Sequence, residues 1–182
     1  MSGQQAEQGD PRLALLEVYD TALPQVYGYL LSRCRRQQLA EDLTAEVFLA
    51  AVAVVRRPDP PTVSLPWLIG TARHKLVDHW RRQSREDRGL HTVASDPTGP
   101  AAVIDPWHEQ LDALRAREVL DLLGPHHRAA LTLRYLDDLT VPQVAAQLDR
   151  TLHATEALLV RARVAFRRAY TATELQTGDD GA

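Results

Sequence analysis

The sequence has very little of what builds covalent or metal-based scaffolds. Cys34 is the only cysteine among 182 residues, which excludes a disulfide framework and a zinc site with several cysteines. No apolar run approaches the ~18 residues of a membrane-spanning helix, and the polar N-terminus does not resemble a signal peptide. With 45% hydrophobic and 25% charged residues, the composition predicts a globular protein of the cytoplasm that does not insert into a membrane.

Sequence signatures of enzymes are also missing. There is no phosphate-cradling glycine loop and no nucleophile elbow. His74 and Asp78 have the spacing of two metal ligands on one helix face, but the sequence offers no third ligand beside them. We therefore expect no catalytic residues, no metal and no cofactor.

Charge is nearly balanced overall but unevenly placed. The net charge of −3 argues against a wholly basic nucleic-acid binder. However, residues 64–88 carry six cations against three acids, and residues 149–170 carry five arginines against two acids. Two basic stretches separated along the chain predict two places at which the protein grips a phosphate backbone.

The C-terminal third contains short apolar-periodic segments separated by stop signals. Pro125 opens one that ends at about Leu136, and Thr140 caps the next, where Gln143 can close a capping box. Thr151 caps a longer helix whose apolar positions recur every three or four residues: Leu152, Thr155, Leu159, Ala162 and Phe166. This pattern predicts a helix-turn-helix. On spacing alone, an ordinary helical hairpin is the alternative.

The first half predicts three further helices. The first runs from Pro11 to Cys34, and Pro24 is expected to kink or divide it. The second runs from about Leu39 to Val55, with an acidic outer face. Its predicted inner face is Leu43, Val47, Phe48, Ala51 and Val54. After a stiff loop at 56–62, the third begins at Pro66; its predicted buried stripe is Leu68, Ile69, Ala72, Leu76, Val77 and Trp80.

Together these elements predict an all-α protein with two small helical domains, residues 11–86 and 107–171. Residues 87–106 lose periodicity and collect Gly, Pro, Ser and Thr, which predicts a flexible linker. Residues 172–182 are predicted to form a disordered tail.

Four motifs give the chain a family resemblance. Residues 40–48 (AEDLTAEVF), 66–74 (PWLIGTARH), 78–82 (DHWRR) and 131–136 (LTLRYL) resemble, in the same order, motifs of bacterial sigma-70 factors of the extracytoplasmic-function group. The helix-turn-helix is also similar to that of this group. The resemblance implies a transcription initiation factor whose partners are core RNA polymerase and promoter DNA. Anti-sigma factors, which are usual in the group, are a further implied partner.

The resemblance assigns roles in the first domain. The second helix would dock on a coiled coil of the polymerase through Glu41, Asp42 and Glu46, although Ala45 replaces a glutamine that is usual in the family. A solvated helix face is the alternative explanation of these acids. The third helix and the preceding loop would hold the melted −10 element through Arg57, Arg73, His74, Arg81 and Arg82.

In the second domain, the resemblance places helix 151–168 in the major groove of the −35 element. Direct readout would fall to His153, Glu156 and Arg161, and phosphate contacts to Arg150, Arg163 and Arg167. The family often has Lys, Ser and Arg where this chain has Glu156, Ala157 and Leu158. A glutamate can accept a hydrogen bond from the N4 amino group of cytosine, and the apolar side chains can only contact the methyl group of thymine. We therefore expect an unusual or weak −35 preference.

Two other functions fit parts of the sequence. A helix-turn-helix regulator that does not dock on polymerase would explain the second domain but would not require the motifs at 40–48 and 66–74. A protein-interaction module would use the apolar face 157–160 to bind another protein.

Overall fold

The computed structural model describes residues 10–90 and 113–179, and within them every regular element is helical. The contacts divide the chain into two units, Met1–Leu76 and Val77–Ala182. This boundary falls inside a helix, so the domain limits 11–86 and 107–171 remain predictions. The seven α-helices of the described ranges are α1 (Pro11–Cys34), α2 (Gln37–Val55), α3 (Leu65–Leu90), α4 (Ala113–Leu122), α5 (Pro125–Leu131), α6 (Val141–Leu148) and α7 (Leu152–Asp179).

Helix α1 begins with Pro11 at its first position, and the Asp10 carboxylate accepts the backbone N–H of Arg12 at 2.9 Å. It ends at Arg35, which takes a left-handed conformation with φ 51°. Pro24 lies inside α1 without dividing it, contrary to one expectation. Pro24 is exposed, so water can replace the hydrogen bond that a proline removes from a helix.

Helices α1 and α2 pack against each other through small and branched residues. At one point along the pair the rings of Tyr19 and Phe48 meet edge to face, with centroids 4.9 Å apart. The predicted inner face of α2 is buried except at Val54, which is half-buried while Val55 takes the core position. The predicted stripe of α3 is confirmed as buried, except for the half-buried Ile69.

Arg128 joins α5 to the end of α4. Its guanidinium donates to the backbone carbonyls of Leu120 at 3.0 Å and Leu123 at 3.2 Å, and also to that of Asp121. The last turn of a helix leaves its carbonyls without the regular helical donors; here the Leu120 carbonyl also accepts the Leu123 N–H at 3.3 Å. A cation at this end also interacts favourably with the helix dipole.

The segment predicted as one helix from Pro125 to Leu136 is α5 followed by a π-helical turn, Thr132–Leu136. The turn closes with the Asp137 N–H donating to the Thr132 carbonyl at 3.0 Å. Leu131, Thr132 and Leu133 are all buried. A wider turn is one way for consecutive side chains to enter the same core, which periodicity of an ordinary helix does not predict.

The predicted helix-turn-helix is confirmed as α6, a turn and α7. Thr140 and Gln143 form the predicted capping box, in which the Thr140 N–H donates to Gln143 Oε1 at 2.8 Å. Asp149 ends α6 in a left-handed conformation with φ 53°. Thr151 caps α7 by accepting the Ala154 N–H at 3.2 Å.

Two predicted flexible segments begin in helix instead. Helix α3 continues to Leu90, so residues 87–90 of the predicted linker are helical. Helix α7 continues to Asp179, so residues 172–179 of the predicted tail are helical. Residues 172–177 contain no proline or glycine and include several good helix formers. The rest of the predicted linker, the start of the second domain at 107–112 and the last residues of the tail lie outside the described residues.

Candidate nucleic-acid interface

The acidic face of α2 carries two exposed carboxylates. The amide of Gln37 donates to Glu41 at 2.8 Å, and that of Gln38 donates to Asp42 at 3.2 Å. Each pair is one helical turn apart, so these contacts orient the carboxylates. A neutral amide leaves the negative charge in place. Glu41 and Asp42 therefore present charge to solvent at the first turns of α2.

Glu46 differs from the other two acids because it has a cationic partner in the same unit. Its carboxylate lies 3.0 Å from Lys75 Nζ of α3, and the two side chains are 42% and 34% exposed. Lys75 is the only lysine of the chain. Sequence reasoning missed this pair, since nothing local signals an ion pair between two helices. Glu46 therefore differs from Glu41 and Asp42, because a cation lies beside its carboxylate whereas theirs accept from neutral amides.

An apolar groove runs beside the acidic face, between α1 and α2. Its volume is about 480 Å³. Ala45, at the position where the resembling family usually has a glutamine, forms part of the wall. The groove was not predicted from the sequence, because its two sides come from different helices. It is lined by Tyr19, Leu23, Pro24, Tyr27, Glu41, Thr44, Ala45 and Phe48.

The candidate −10 residues lie on α3 and in the loop that precedes it. Arg57 is exposed in that loop, His74 and Arg82 are exposed on α3, and Arg73 and Arg81 are half-buried. By helical geometry His74 and Arg81 share a face, Arg82 lies at its side and Arg73 points about 100° away from His74. The Arg81 guanidinium lies 3.7 Å from the Asp78 carboxylate one turn earlier. Of the predicted set, only His74 and Arg81 therefore share a face by helical spacing.

A shallow concavity of about 370 Å³ lies on the first half of α3. Trp67, Gly70, Thr71 and His74 line it at spacings of three and four residues, and Lys75 closes one side. Sequence reasoning assigned His74 to this surface but not Trp67, Thr71 or Lys75.

Helix α7 divides the candidate −35 residues between two sides. His153, Glu156, Arg163 and Arg167 fall on one face by helical spacing, and His153, Glu156 and Arg167 are exposed. Arg161 lies elsewhere on the helix, and its Nε is buried. Arg150 is half-buried in the turn before α7. Arg161 therefore does not share a helix face with His153 and Glu156, although all three were assigned to base readout.

Leu158 is 3% exposed and belongs to the core of the second unit. The expectation that it faces the groove was wrong. Leu152, expected in the core, is instead 48% exposed. The buried stripe of α7 is wider than the predicted one because α4, α5 and α6 all pack against this helix. It comprises Thr155, Leu158, Leu159, Ala162 and Phe166.

Glu156 lies at the edge of a cleft of about 380 Å³, which is lined by Arg134, Tyr135, Val141, Glu156, Leu159, Val160 and Arg163. Arg134 is already engaged: its guanidinium donates to the Leu139 carbonyl at 3.1 Å and lies 3.9 Å from the Asp138 carboxylate. Among the described residues no group of three or more His, Cys, Asp or Glu could hold a metal ion.

Comparison with protein families gives two matches in this chain. The model for sigma-70 region 2 matches residues 18–86. The model for sigma-70 region 4 matches residues 113–166. The first match contains α2, the following loop and most of α3, and the second contains the helix-turn-helix.

Known proteins show the same relationship over most of the chain. The sigma factor SigM of Bacillus subtilis, described as an ECF RNA polymerase sigma factor, is 30% identical over 161 residues, 85% of this chain and 93% of SigM. SigD of Mycobacterium tuberculosis, described likewise, is 32% identical over 87% of this chain and 77% of SigD. The sigma factor RpoE of Bartonella quintana, solved in complex with the anti-sigma factor NepR, has the same fold: TM-score 0.51, 20% identity, 86% of this chain and 96% of that one.

Proposed function

Because this chain belongs to the extracytoplasmic-function group of the sigma-70 family, we propose that it binds core RNA polymerase and directs it to promoters with particular −10 and −35 elements. The observation that carries the proposal is the presence of regions 2 and 4 in one chain. The protein acts as an initiation factor, not as an enzyme, and it works in the cytoplasm, where polymerase and promoter DNA are found.

Docking on the polymerase falls to the acidic face of α2. Glu41 and Asp42 are exposed charges held in place by glutamine amides, which suits them to a basic helical surface on the polymerase. Glu46 is the third member of this surface, although its carboxylate also forms an ion pair with Lys75. The adjoining apolar groove adds buried area to a contact that charge alone would leave weak.

The −10 element is held as melted single strand by α3 and the loop 57–65. Removing a base from the stack costs a few kcal/mol, which contacts to a flipped base and to phosphates must offset. Arg73, His74, Arg81 and Arg82 supply phosphate contacts from α3, and Arg57 belongs to the loop that forms the wall of the pocket for the flipped base. The helix fixes the spacing of its four side chains along the strand.

The −35 element is read by α7 in the major groove. His153 and Glu156 face the bases, and Arg150, Arg163 and Arg167 contact phosphates. We assign Arg161 to support of the helix and not to base readout, because its Nε is buried. The helix-turn-helix geometry places the first two turns of α7 deepest in the groove.

An anti-sigma factor is the proposed regulator. RpoE of Bartonella quintana was solved with such a partner, and region 2 of this chain offers the acidic face and apolar groove of α1 and α2 to a competitor of the polymerase. None of the helices of the described ranges is long and apolar enough to cross a membrane.

A helix-turn-helix regulator without polymerase docking is the second candidate function. It is not favoured, because such a protein has no use for the region 2 match over residues 18–86. A protein-interaction module is disfavoured as well, since Leu158, a central member of the proposed apolar face 157–160, is buried.

The test is run-off transcription with purified core polymerase, the full chain and genomic promoter fragments. We expect initiation at a subset of fragments that core polymerase alone ignores. Replacing Glu41 and Asp42 by lysine should weaken core binding by about 1–3 kcal/mol per contact, with unchanged circular dichroism because both side chains are exposed. Glu17→Lys, an exposed acid on α1, is the matched control. Initiation no higher than with core polymerase alone would contradict the proposal.

A further inference from the structure

Glu156 is a carboxylate at a place where a DNA-binding helix usually has a donor. It is exposed on the second turn of α7, on the same face as His153, Val160 and Arg163. Its side chain makes no hydrogen bond or ion pair with the described residues. The charge is therefore not paired with any of the residues that the structure describes. A negative charge brought against a phosphate backbone is repelled, so it needs a donor on the DNA to be tolerated.

The major-groove edges of the bases differ in what they offer to a carboxylate. Guanine presents two acceptors and thymine one, and both would repel it. Adenine has a donor at N6, but the N7 acceptor lies beside it. Cytosine presents the N4 donor alone. A carboxylate that loses its water on entering the groove is therefore satisfied best by cytosine, and any other base leaves it partly or wholly unpaired.

Two small apolar residues lie near Glu156 on α7. Ala157 is the next residue and Val160 lies one turn further on; both are half-buried, whereas Leu158 is in the core. In the major groove, the partner of a small apolar side chain is the C5-methyl group of thymine. Arg163 and Arg167 lie about two and three turns beyond Glu156, where they suit phosphates.

We propose that Glu156 selects a cytosine in the −35 element, next to a thymine contacted by Ala157 or Val160. This inference rests on the proposed function. Its consequence is a −35 contact of low affinity with sharp discrimination at one position. Discrimination here comes from the penalty on the wrong base more than from attraction to the right one. The −35 preference is thus unusual, and it is strong at the position of the cytosine.

The experiment uses the full chain with core polymerase and a promoter library in which the −10 element is fixed and the −35 region is randomised. Wild type should favour cytosine at one position by about tenfold or more. Glu156→Gln should favour adenine at that position, since an amide both donates to N7 and accepts from N6. Glu156→Ala should have no preference there. Glu118→Gln, the same chemical change on an exposed acid of α4, should behave as wild type.

Two results would overturn the inference while leaving the proposed function standing: active transcription with no cytosine preference in wild type, or a preference that Glu156→Gln leaves unmoved. A library from which neither wild type nor Glu118→Gln initiates at all would instead overturn the proposed function itself.

Discussion

The two helices that are proposed to contact DNA, α3 and α7, present different chemistry on their exposed faces. On α3 the exposed or half-buried groups include His74, Arg81 and Arg82, beside the acids Asp78 and Glu86. On the first turns of α7 the corresponding groups are a histidine, a glutamate and small apolar side chains. Cations increase affinity for any phosphate backbone, whereas an unpaired carboxylate lowers affinity and raises selectivity. We infer that α3 supplies most of the binding free energy and α7 supplies discrimination.

The largest expected effect concerns the promoter and not the protein. Replacing the preferred −10 bases should lower initiation by about a hundredfold, because several stacking contacts are lost. Replacing −35 bases other than the proposed cytosine should lower it by about tenfold or less. Transcription from a promoter library in which one element is varied at a time measures both values. A −35 contribution larger than that of −10 would reverse the proposed division between α3 and α7.

The next effect concerns the scaffold that presents α7. Arg128→Ala should lower the free energy of local unfolding by about 2–4 kcal/mol, since it removes the side-chain donor of three carbonyls at the end of α4, of which that of Leu120 keeps the Leu123 N–H. Amide hydrogen exchange of α4, α5 and α7 measures the change, and α1 and α2 serve as an internal reference.

The controls for Arg128 are two substitutions. Arg128→Lys keeps the charge but lacks the planar guanidinium, in which Nε and an Nη atom donate to different carbonyls, so an intermediate loss is expected. Arg117→Ala removes an exposed arginine of α4 and should change this free energy by no more than about 0.5 kcal/mol. Equal protection in Arg128→Ala and wild type would show that the guanidinium does not hold the two helices together.

Much of this architecture could be predicted from local sequence. The parts that could not be predicted have one physical cause in common. The caps at Thr140 and Thr151 were predictable because the capping partners are three residues away. The burial of Leu158 was not, because positions 155, 158 and 159 all fit a helical period. How many of them are buried depends on the number of helices that cover α7. The Glu46–Lys75 pair and the π-helical turn likewise depend on partners distant in sequence.

Smaller effects are expected from single charges at the DNA surfaces, and they should have opposite signs on the two helices. Arg82→Ala should reduce the slope of the logarithm of the promoter-binding constant against the logarithm of salt concentration by about 0.7. This is the value for a lost single-strand phosphate contact. Glu156→Lys should steepen it by about 0.9, the value for a gained duplex contact, and should tighten non-specific binding. Binding of holoenzyme to promoter fragments across a range of salt concentrations measures both slopes. Slopes that change in the same direction would remove the proposed contrast.

The smallest effect tests whether Glu46 serves the polymerase or only α3. If the polymerase competes with Lys75 for this carboxylate, Lys75→Gln should raise the affinity for core polymerase by up to about fivefold, because an exposed ion pair is worth at most about 1 kcal/mol. Glu46→Gln should lower that affinity whether or not Lys75 is present. Removing any cation slightly raises the affinity for a basic partner through the change in net charge. Arg12→Gln, at an exposed position of α1, is the control that measures this general effect. The measurement is the dissociation constant for core polymerase of the single and double variants in a double-mutant cycle. If Glu46→Gln and Lys75→Gln both weaken docking, and the double variant is no worse than either, the carboxylate acts by positioning α3 and the polymerase surface of α2 ends at Glu41 and Asp42.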